Sequence, residues 1–349
     1  MSATSKKPTE FKVQTVCLVM LTAFVIGSGL YFLRPLLVPF TLAIFFALLL
    51  SPLLDLQVRK LRVPRPVALV ITLLLGFAII SVLGGIVATS VARLANNAEE
   101  YQEKVETQLK KVAKNLPLDR LGFDPDEDFD PLSFIPEGFT RDTLLRSTGA
   151  IAGALSQGLL VMLFVIFLLL GSTTRTKPRE GVAGEIERSV KRYVVTKVIL
   201  SAITGTLVYF VLRLLGIPFA IAFGAFAFVL NFIPSVGSII ATLVPLPVIL
   251  LTPDITMQRI VLALAIPGAI QFTIGNIIEP KIMGDSLDLH PVVILLALIF
   301  WGMLWGPIGM LLAAPLTAVT KIALSKLDVT APVADLLAGR LDTFETGRS

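Results

Sequence analysis

The chain has 349 residues, of which 55% are hydrophobic and 16% are charged, whereas a soluble domain carries about 25% charged residues. This composition and a mean hydropathy of +0.84 exclude an ordinary soluble globular protein. The single cysteine, Cys17, and the single histidine, His290, exclude an intramolecular disulfide and metal sites built from several such residues. The net charge is +5, and the lysines and arginines lie in short loops between apolar runs. This distribution is typical of a membrane protein whose loops set its orientation, and not of a nucleic-acid-binding protein.

Uncharged runs divide the chain into eight apolar segments. A helix needs about 20 apolar residues to cross a hydrocarbon core about 30 Å thick, so each run is a candidate span. The runs lie between Lys12 and Arg34, Arg34 and Asp55, Arg65 and Arg93, Arg146 and Arg175, Lys197 and Arg213, Arg213 and Asp254, Arg259 and Glu279, and Asp288 and Lys321. The sequence therefore predicts an all-α, polytopic transmembrane protein with about eight spans in the lipid bilayer.

Lysine and arginine residues in the short loops predict the orientation, because cytoplasmic loops carry the positive excess. The basic loops 59–65 and 175–197 and the basic N-terminus are expected on the cytoplasmic side. Alternation of the spans then places the acidic stretch 279–288 outside and Lys321 inside. Both termini are expected in the cytoplasm of a bacterial cell, with the protein in the inner membrane.

We divide the chain into four parts on this basis. Three transmembrane helices occupy residues 1–92, and a helical and acidic extracytoplasmic segment occupies 93–146. A C-terminal transmembrane transport region follows at 147–330, and a cytoplasmic tail at 331–349.

Two uncharged runs in the C-terminal half are too long for one simple helix. A 40-residue helix would be about 60 Å long, so residues 214–253 must fold back or break, and 289–320 is interrupted in the same way. The predicted backbone breaks are Pro218, Pro234, Gly237, Pro280, Gly284, Gly306 and Pro307. Broken backbone at membrane depth is tolerated where it lines a cavity or is buried in protein, so these points are candidates for a transport pathway. A proline-kinked packing helix is the alternative.

The segment between the third and fourth spans has two distinct parts. Apolar residues recur at helical spacing over 94–116, which predicts a helix that either covers the protein's own surface or joins neighbouring subunits. The acidic stretch 124–130 resembles a calcium loop, but it lacks the required Gly at position six and Glu at position twelve. No metal site is predicted there.

The motifs of energy-coupled and catalytic proteins are absent from the sequence. It contains no phosphate-binding loop and no dinucleotide-binding unit, and no paired catalytic groups lie inside the apolar runs. We therefore expect neither an enzyme nor a cofactor.

Polar side chains of the C-terminal half form the candidate substrate site. The candidates are Asn231, Ser235, Gln271, Asn276 and Glu279. Amides inside apolar runs are costly in hydrocarbon, so in a membrane protein they indicate function. On one continuous helix the last three residues would project toward roughly one side.

Charged residues next to this stretch are candidates for ion coupling. They are Glu279, Lys281 and Asp285, and Pro280 biases the helix to end or bend where the carboxylate stands. The alternative is a polar extracellular turn in which Glu279 and Lys281 form a weak exposed pair.

Two C-terminal signatures resemble a known family of bacterial permeases. Residues 231–240 read NFIPSVGSII and residues 275–284 read GNIIEPKIMG, and a later run over 291–316 extends the match. These motifs are similar to those of the autoinducer-2 exporter (AI-2E) family, and the match in spacing and hydropathy covers residues 10–325. The resemblance implies about eight spans and a homo-oligomer, with a pentamer as one form. It also implies export of the small quorum-sensing signal autoinducer-2 or, for some members, sodium or lithium/proton antiport.

We interpret the chain as a secondary transporter that exports a small polar organic solute such as autoinducer-2. Sodium/proton antiport is the second hypothesis, although the charge map leaves every span interior free of carboxylates. A non-transporting membrane scaffold, whose breaks merely pack helices, is an alternative of another class.

Overall fold

The computed structural model describes residues 7–96, 157–171, 181–250, 252, 255–283, 287–327 and 329–340. The helices in these ranges are α1 (Lys7–Phe32), α2 (Arg34–Arg59), α3 (Arg65–Asn96), α4 (Gln157–Gly171), α5 (Gly181–Leu214), α6 (Ala220–Leu230), α7 (Val236–Leu243), α8 (Leu246–Leu250), α9 (Met257–Thr273), α10 (Glu279–Met283), α11 (Pro291–Leu324) and α12 (Ala331–Ala338). A π-helical turn, Ile274–Ile278, joins α9 to α10.

The predicted fold class is confirmed. The described residues form helices without strands, and five helical stretches among them are long and apolar enough to cross a membrane. Large aliphatic and aromatic side chains are exposed along these helices, for example Phe77, Phe210 and Met303. Such exposure suits contact with lipid rather than water.

Helices α5 and α6 form a tightly packed antiparallel pair. The chain turns between them at Gly216 and Phe219, which both have positive φ angles. A Cβ atom on Gly205 would lie 2.6 Å from the carbonyl oxygen of Gly224, and one on Gly224 would lie 2.7 Å from that of Gly205. Two glycines therefore allow the two backbones to approach each other closely.

Residues 220–250 fold back at 231–235. Helix α9 runs antiparallel to α5, because Glu279 contacts Lys197 while Ala263 packs in the same cluster as Leu212. Helix α7 runs antiparallel to α9, since Gly268 lies against Thr242 and Gly275 lies near Ser238. Helix α7 is thus parallel to α5 and antiparallel to α6. The sequence predicted that the 40-residue run must fold back or break, and the structure shows a fold-back; we name residues 220–250 the first hairpin.

Helix α11 also folds back, at Gly306, where φ is 66° and ψ is −148°. Trp301 Nε1 donates to Thr317 Oγ1 over 3.2 Å, whereas residues 16 apart on a straight helix would be separated by about 24 Å. At the open end of the fold-back, Lys321 pairs with Asp288. We name residues 291–324 the second hairpin.

The two hairpins change the predicted sidedness of one loop. A hairpin returns the chain to the side from which it came, so the alternation of eight spans does not apply. The carboxylate of Glu279 contacts Lys197, and that of Asp288 contacts Lys321. The expectation that the stretch 279–288 faces the side opposite to residues 175–197 and Lys321 is therefore wrong.

The expected placement of both termini in the cytoplasm stays a prediction, because residues 97–156, between α3 and α4, lie outside the described residues. The predicted helix over 94–116 and the acidic stretch 124–130 lie almost wholly outside the described residues.

Candidate functional site

Helix α5 carries a polar stripe on its inner face. Tyr193, Lys197, Ser201 and Thr204 follow one another at spacings of four, four and three residues, and all four side chains are buried. Residues at these spacings lie on one face of a helix. The stripe faces inward in a helix whose opposite face bears exposed residues such as Ile199 and Phe210.

Lys197 forms a buried ion pair with Glu279. Its Nζ atom lies 2.5 Å from Glu279 Oε1, and the lysine side chain is 2% exposed while that of Glu279 is 17% exposed. This lysine lies in the middle of α5, although the charge map assigns it to a cytoplasmic loop. Glu279 meets α5 at the point where its charged first half gives way to the uncharged run 198–212, which is the edge of the predicted span.

Asn231 meets α5 one helical turn further along. Its Nδ2 atom donates to Ser201 Oγ over 3.0 Å, and both side chains are buried. Asn231 is the first residue after α6, so the turn of the first hairpin brings its amide to the polar stripe. Of the predicted substrate residues, Asn231 and Glu279 thus lie within two turns of each other along α5.

Gln271 is buried in α9 with its hydrogen-bonding capacity unused. The side chain is 2% exposed, and neither Nε2 nor Oε1 has a hydrogen-bond partner among the described residues. A buried amide without a partner is rare in folded proteins and calls for a water molecule or a ligand. Gln271 lies two turns before Glu279, and the antiparallel register places it near the level of Thr204 on α5.

Asn276 does not join these residues. It lies in the π-helical turn, is exposed, and donates from Nδ2 to the carbonyl oxygen of Phe272 over 3.1 Å. The π turn changes the helical phase, so the expectation that Gln271, Asn276 and Glu279 share a face fails at Asn276. Pro280 does not end the helix at Glu279: the chain continues as α10 to Met283, after the π turn that precedes the proline.

The turn of the first hairpin depends on Pro234, Ser235 and Gly237. Ser235 is exposed and has a φ of 59°, so it supplies the left-handed residue of this turn. Gly237 is buried, and a Cβ atom on it would overlap the carbonyl oxygen of Leu230. The predicted break is confirmed, and the glycine is needed there for a close approach rather than for a positive φ.

The tips of the two hairpins pack against the same core. Ile233 and Val236 of the first hairpin pack with Trp301, Trp305 and Ala313 of the second. Gly306 supplies the positive φ of the second tip and Pro307 follows it, so the predicted break there is also confirmed. The two predicted breaks, which are far apart in the sequence, therefore lie next to each other inside the protein.

The remaining predicted residues lie at the edges of this arrangement. Pro218 precedes Phe219 in the turn between α5 and α6, and Lys281 is exposed on α10. Gly284 and Asp285 lie outside the described residues, so their predicted roles stay predictions.

A second charged cluster closes the open end of the second hairpin. Asp288 pairs with Lys321, whose Nζ also donates to the Asp288 carbonyl oxygen over 2.8 Å. Arg340 Nη2 lies 2.8 Å from Asp288 Oδ2, and the backbone N–H of His290 donates to the Leu337 carbonyl oxygen. The start of the predicted tail is therefore a helix that packs onto α11.

We name the side chains of Lys197, Ser201, Asn231, Gln271 and Glu279 the polar centre. The fold and this centre define a polytopic membrane protein, and sequence comparison gives its class. A family model described as "AI-2E family transporter" matches residues 18–328. The chain belongs to this family of membrane transporters.

Individual relatives match over nearly their whole length. The chain is 34% identical to "AI-2 transport protein TqsA" of Escherichia coli (strain K12) over 325 residues, which is 90% of this chain and 92% of that protein. It is 31% identical to "Putative transport protein YhhT" of the same strain, over 88% of this chain and 89% of the relative. It is also 31% identical to a "Putative transport protein" of Haemophilus influenzae, over 92% of this chain and 95% of that protein.

Sequence reasoning missed Lys197 as a site residue. A signal was present, because Lys197 lies four residues from Ser201 and eight from Gly205 on the apolar side of a helical pattern. The segmentation of the chain treats every charged residue as the end of a span, so it assigns Lys197 to a loop.

Proposed function

We propose that the chain is a secondary transporter that exports a small polar organic solute, with autoinducer-2 as the candidate. The observation that carries this proposal is the polar centre enclosed by α5, α9 and the first hairpin. The Asn231 amide, hydrogen-bonded to the Ser201 hydroxyl, and the unpartnered amide of Gln271 lie inside an otherwise apolar shell. Such groups would hydrogen-bond hydroxyl and carbonyl oxygens of a solute.

The solute class follows from the balance of charge in this centre. Lys197 and Glu279 neutralise each other, and the other polar groups of the stripe are uncharged. A strongly anionic or cationic solute would find no net opposite charge, whereas a neutral, hydroxyl-rich molecule would find several donors and acceptors. The name of the relative TqsA supports autoinducer-2 as the member of this class to test first.

The two hairpins provide the route. Broken helices expose backbone groups at membrane depth, where they contribute to a solute site or path. The first hairpin brings Asn231 to the stripe, and the second packs behind its tip. We propose that residues 147–330 form the transport region and that 1–92 and 93–146 flank it.

Transport in sealed, inverted membrane vesicles tests the proposed function. Vesicles that contain the protein should accumulate externally added autoinducer-2 faster than vesicles without it, and unlabelled polyols of similar size should compete. Equal uptake in both kinds of vesicle, with folded protein present, would leave the scaffold hypothesis as the better account.

Sodium or lithium/proton antiport is the second candidate, and the ion pair between Lys197 and Glu279 favours it. Antiport requires a carboxylate that a cation can neutralise within the protein, and Glu279 meets this condition. A proton flux driven by sodium or lithium in solute-free proteoliposomes would support antiport. Its absence there, together with autoinducer-2 flux, would support the first candidate.

Location and assembly complete the proposal. We propose a bacterial inner-membrane protein with both termini in the cytoplasm, on the basis of the positive loops. We also propose a homo-oligomer, with a pentamer as the form to test, on the basis of the family resemblance. Native mass spectrometry of the protein released from detergent would give the number of copies.

A further inference from the structure

The ion pair at the polar centre is asymmetric in its access. The side chain of Lys197, on α5, is 2% exposed. That of Glu279, the first residue after the π turn, is 17% exposed. Among the described residues, Glu279 is the carboxylate that pairs with Lys197. A small cation that enters the centre can therefore reach the carboxylate, while the lysine remains attached to the helix beside it.

From this geometry we propose that Lys197 is a tethered competitor for Glu279. A mobile monovalent cation, a proton or an alkali ion, and the ammonium group of Lys197 bind the same carboxylate in turn. Two positive charges cannot share one buried carboxylate at low cost, because uncompensated charge is strongly disfavoured in the protein interior. Binding of the mobile cation thus releases Lys197.

The released ammonium group has polar neighbours on its own helix. Ser201 lies one turn further along α5, in contact with Asn231, and residues four apart on a helix are neighbours. When Lys197 turns toward this pair, it changes the hydrogen-bonding groups that the centre presents to a solute. The inference deepens the proposed transport function and rests on it at this point: cation occupancy of Glu279 and solute occupancy become coupled, and the coupling is reciprocal.

The titratable groups around Glu279 in the described chain are few. Lys197 pairs with it from α5, and Tyr193 lies one turn before Lys197 on the same buried face of that helix. Lys281 lies on the same short helix and is exposed. Variants of Lys197 and Glu279 therefore isolate the competition, with Tyr193 left in place.

Cation binding to the purified, solute-free protein tests this inference separately from transport. The two tryptophans, Trp301 and Trp305, report unfolding by their fluorescence. Melting temperatures would be measured against sodium and lithium chloride, with choline chloride to hold the ionic strength, and against pH at fixed choline. The variants are Lys197→Gln, Glu279→Gln, the double variant with both changes, and Lys191→Gln as a matched control on the same helix.

Removal of the competitor should tighten binding. We expect Lys197→Gln to lower the cation concentration at which half of the rise in melting temperature is reached by about tenfold. Glu279→Gln and the double variant should show no rise in melting temperature with the cation. Lys191→Gln should match the parent. A response to sodium or lithium identifies an alkali ion, and a response to pH alone identifies the proton.

Two results would overturn the inference. One is a Lys197→Gln protein whose response to all three cations equals that of the parent. If that variant does not fold, the other is a double variant that keeps the parent's response, since its carboxylate is gone. Failure of autoinducer-2 flux would contradict the proposed solute and leave these binding results unaffected.

Discussion

At the scale of single residues, the polar centre is held by groups that stabilise the fold only in pairs. Lys197 has exchanged water for Glu279, and Ser201 has exchanged it for Asn231. Loss of one partner leaves the other buried and unsatisfied, which costs more than the pair contributes. The two ends of the ion pair differ in burial, so their removal should differ in consequence.

Glu279→Gln should destabilise the protein more than Lys197→Gln does. The first change leaves a buried ammonium group without its carboxylate, at a cost of about 3–5 kcal/mol, whereas the second leaves a partly exposed carboxylate. Lys191→Gln, which breaks an exposed pair with Asp55, should change stability by less than about 1 kcal/mol. Thermal unfolding in one detergent would rank the three variants. A reversed order of the first two would contradict the burial of Lys197.

The residue scale also shows where sequence reasoning stops. Gln271 and Asn231 stand out in sequence because amides are rare in apolar runs, and both are buried in the centre. The signal of Lys197 is weaker, because its spacing to Ser201 is shared by many helical residues, its partner is 82 residues away and its charge resembles that of a loop residue. Asn276 carries the same local signal as Gln271, but the π turn directs it away from the centre, and no sequence pattern marks that turn.

At the scale of helices, close backbone contacts fix the hairpins. The pair of α5 and α6 depends on Gly205 and Gly224, and the first tip depends on Gly237. The length of the two runs required the chain to turn or break, and their prolines and glycines indicated where. The direction of each turn was not predictable, since it depends on contacts between helices distant in sequence.

Gly224→Ala should disturb the packing of α5 against α6. The new Cβ atom would lie 2.7 Å from both the Gly205 carbonyl oxygen and Tyr209 Cβ, so one helix must move. We expect a loss of about 1–3 kcal/mol, measured as a lower melting temperature and less monodisperse protein. Gly85→Ala on α3 is the control, because nothing lies within 4 Å of its Cβ position. Equal melting temperatures for the two variants would contradict the close approach.

At the scale of the whole molecule, the hairpins determine which side each loop faces. Charge counting did not predict the side that residues 279–288 face, because it treats every apolar run as a crossing. The ion pairs Lys191–Asp55, Lys326–Glu185 and Lys321–Asp288 place the ends of α2, α5 and α11 on one side of the protein.

Labelling of single cysteines tests this sidedness. In a Cys17→Ser background, cysteines at Arg62, Arg188 and Lys281 should be shielded from an impermeant thiol reagent in intact cells, and one at Asp126 should be labelled. Permeabilised cells should label all four positions. Labelling at Lys281 with Arg188 shielded would restore the simple alternation and contradict the first hairpin.

The measurement that tests the central claim most directly is autoinducer-2 uptake by inverted vesicles that contain the parent protein, Asn231→Leu or Thr320→Val. Asn231→Leu removes the amide that meets Ser201 in the polar centre, while Thr320 is an exposed residue of α11 bonded to its own helix. We expect Asn231→Leu to lower the initial rate about tenfold at equal protein level, which corresponds to the loss of a solute hydrogen bond of about 1.4 kcal/mol. Thr320→Val should retain the parent rate. Uptake by the Asn231→Leu protein at the parent rate would contradict a solute pathway through the polar centre.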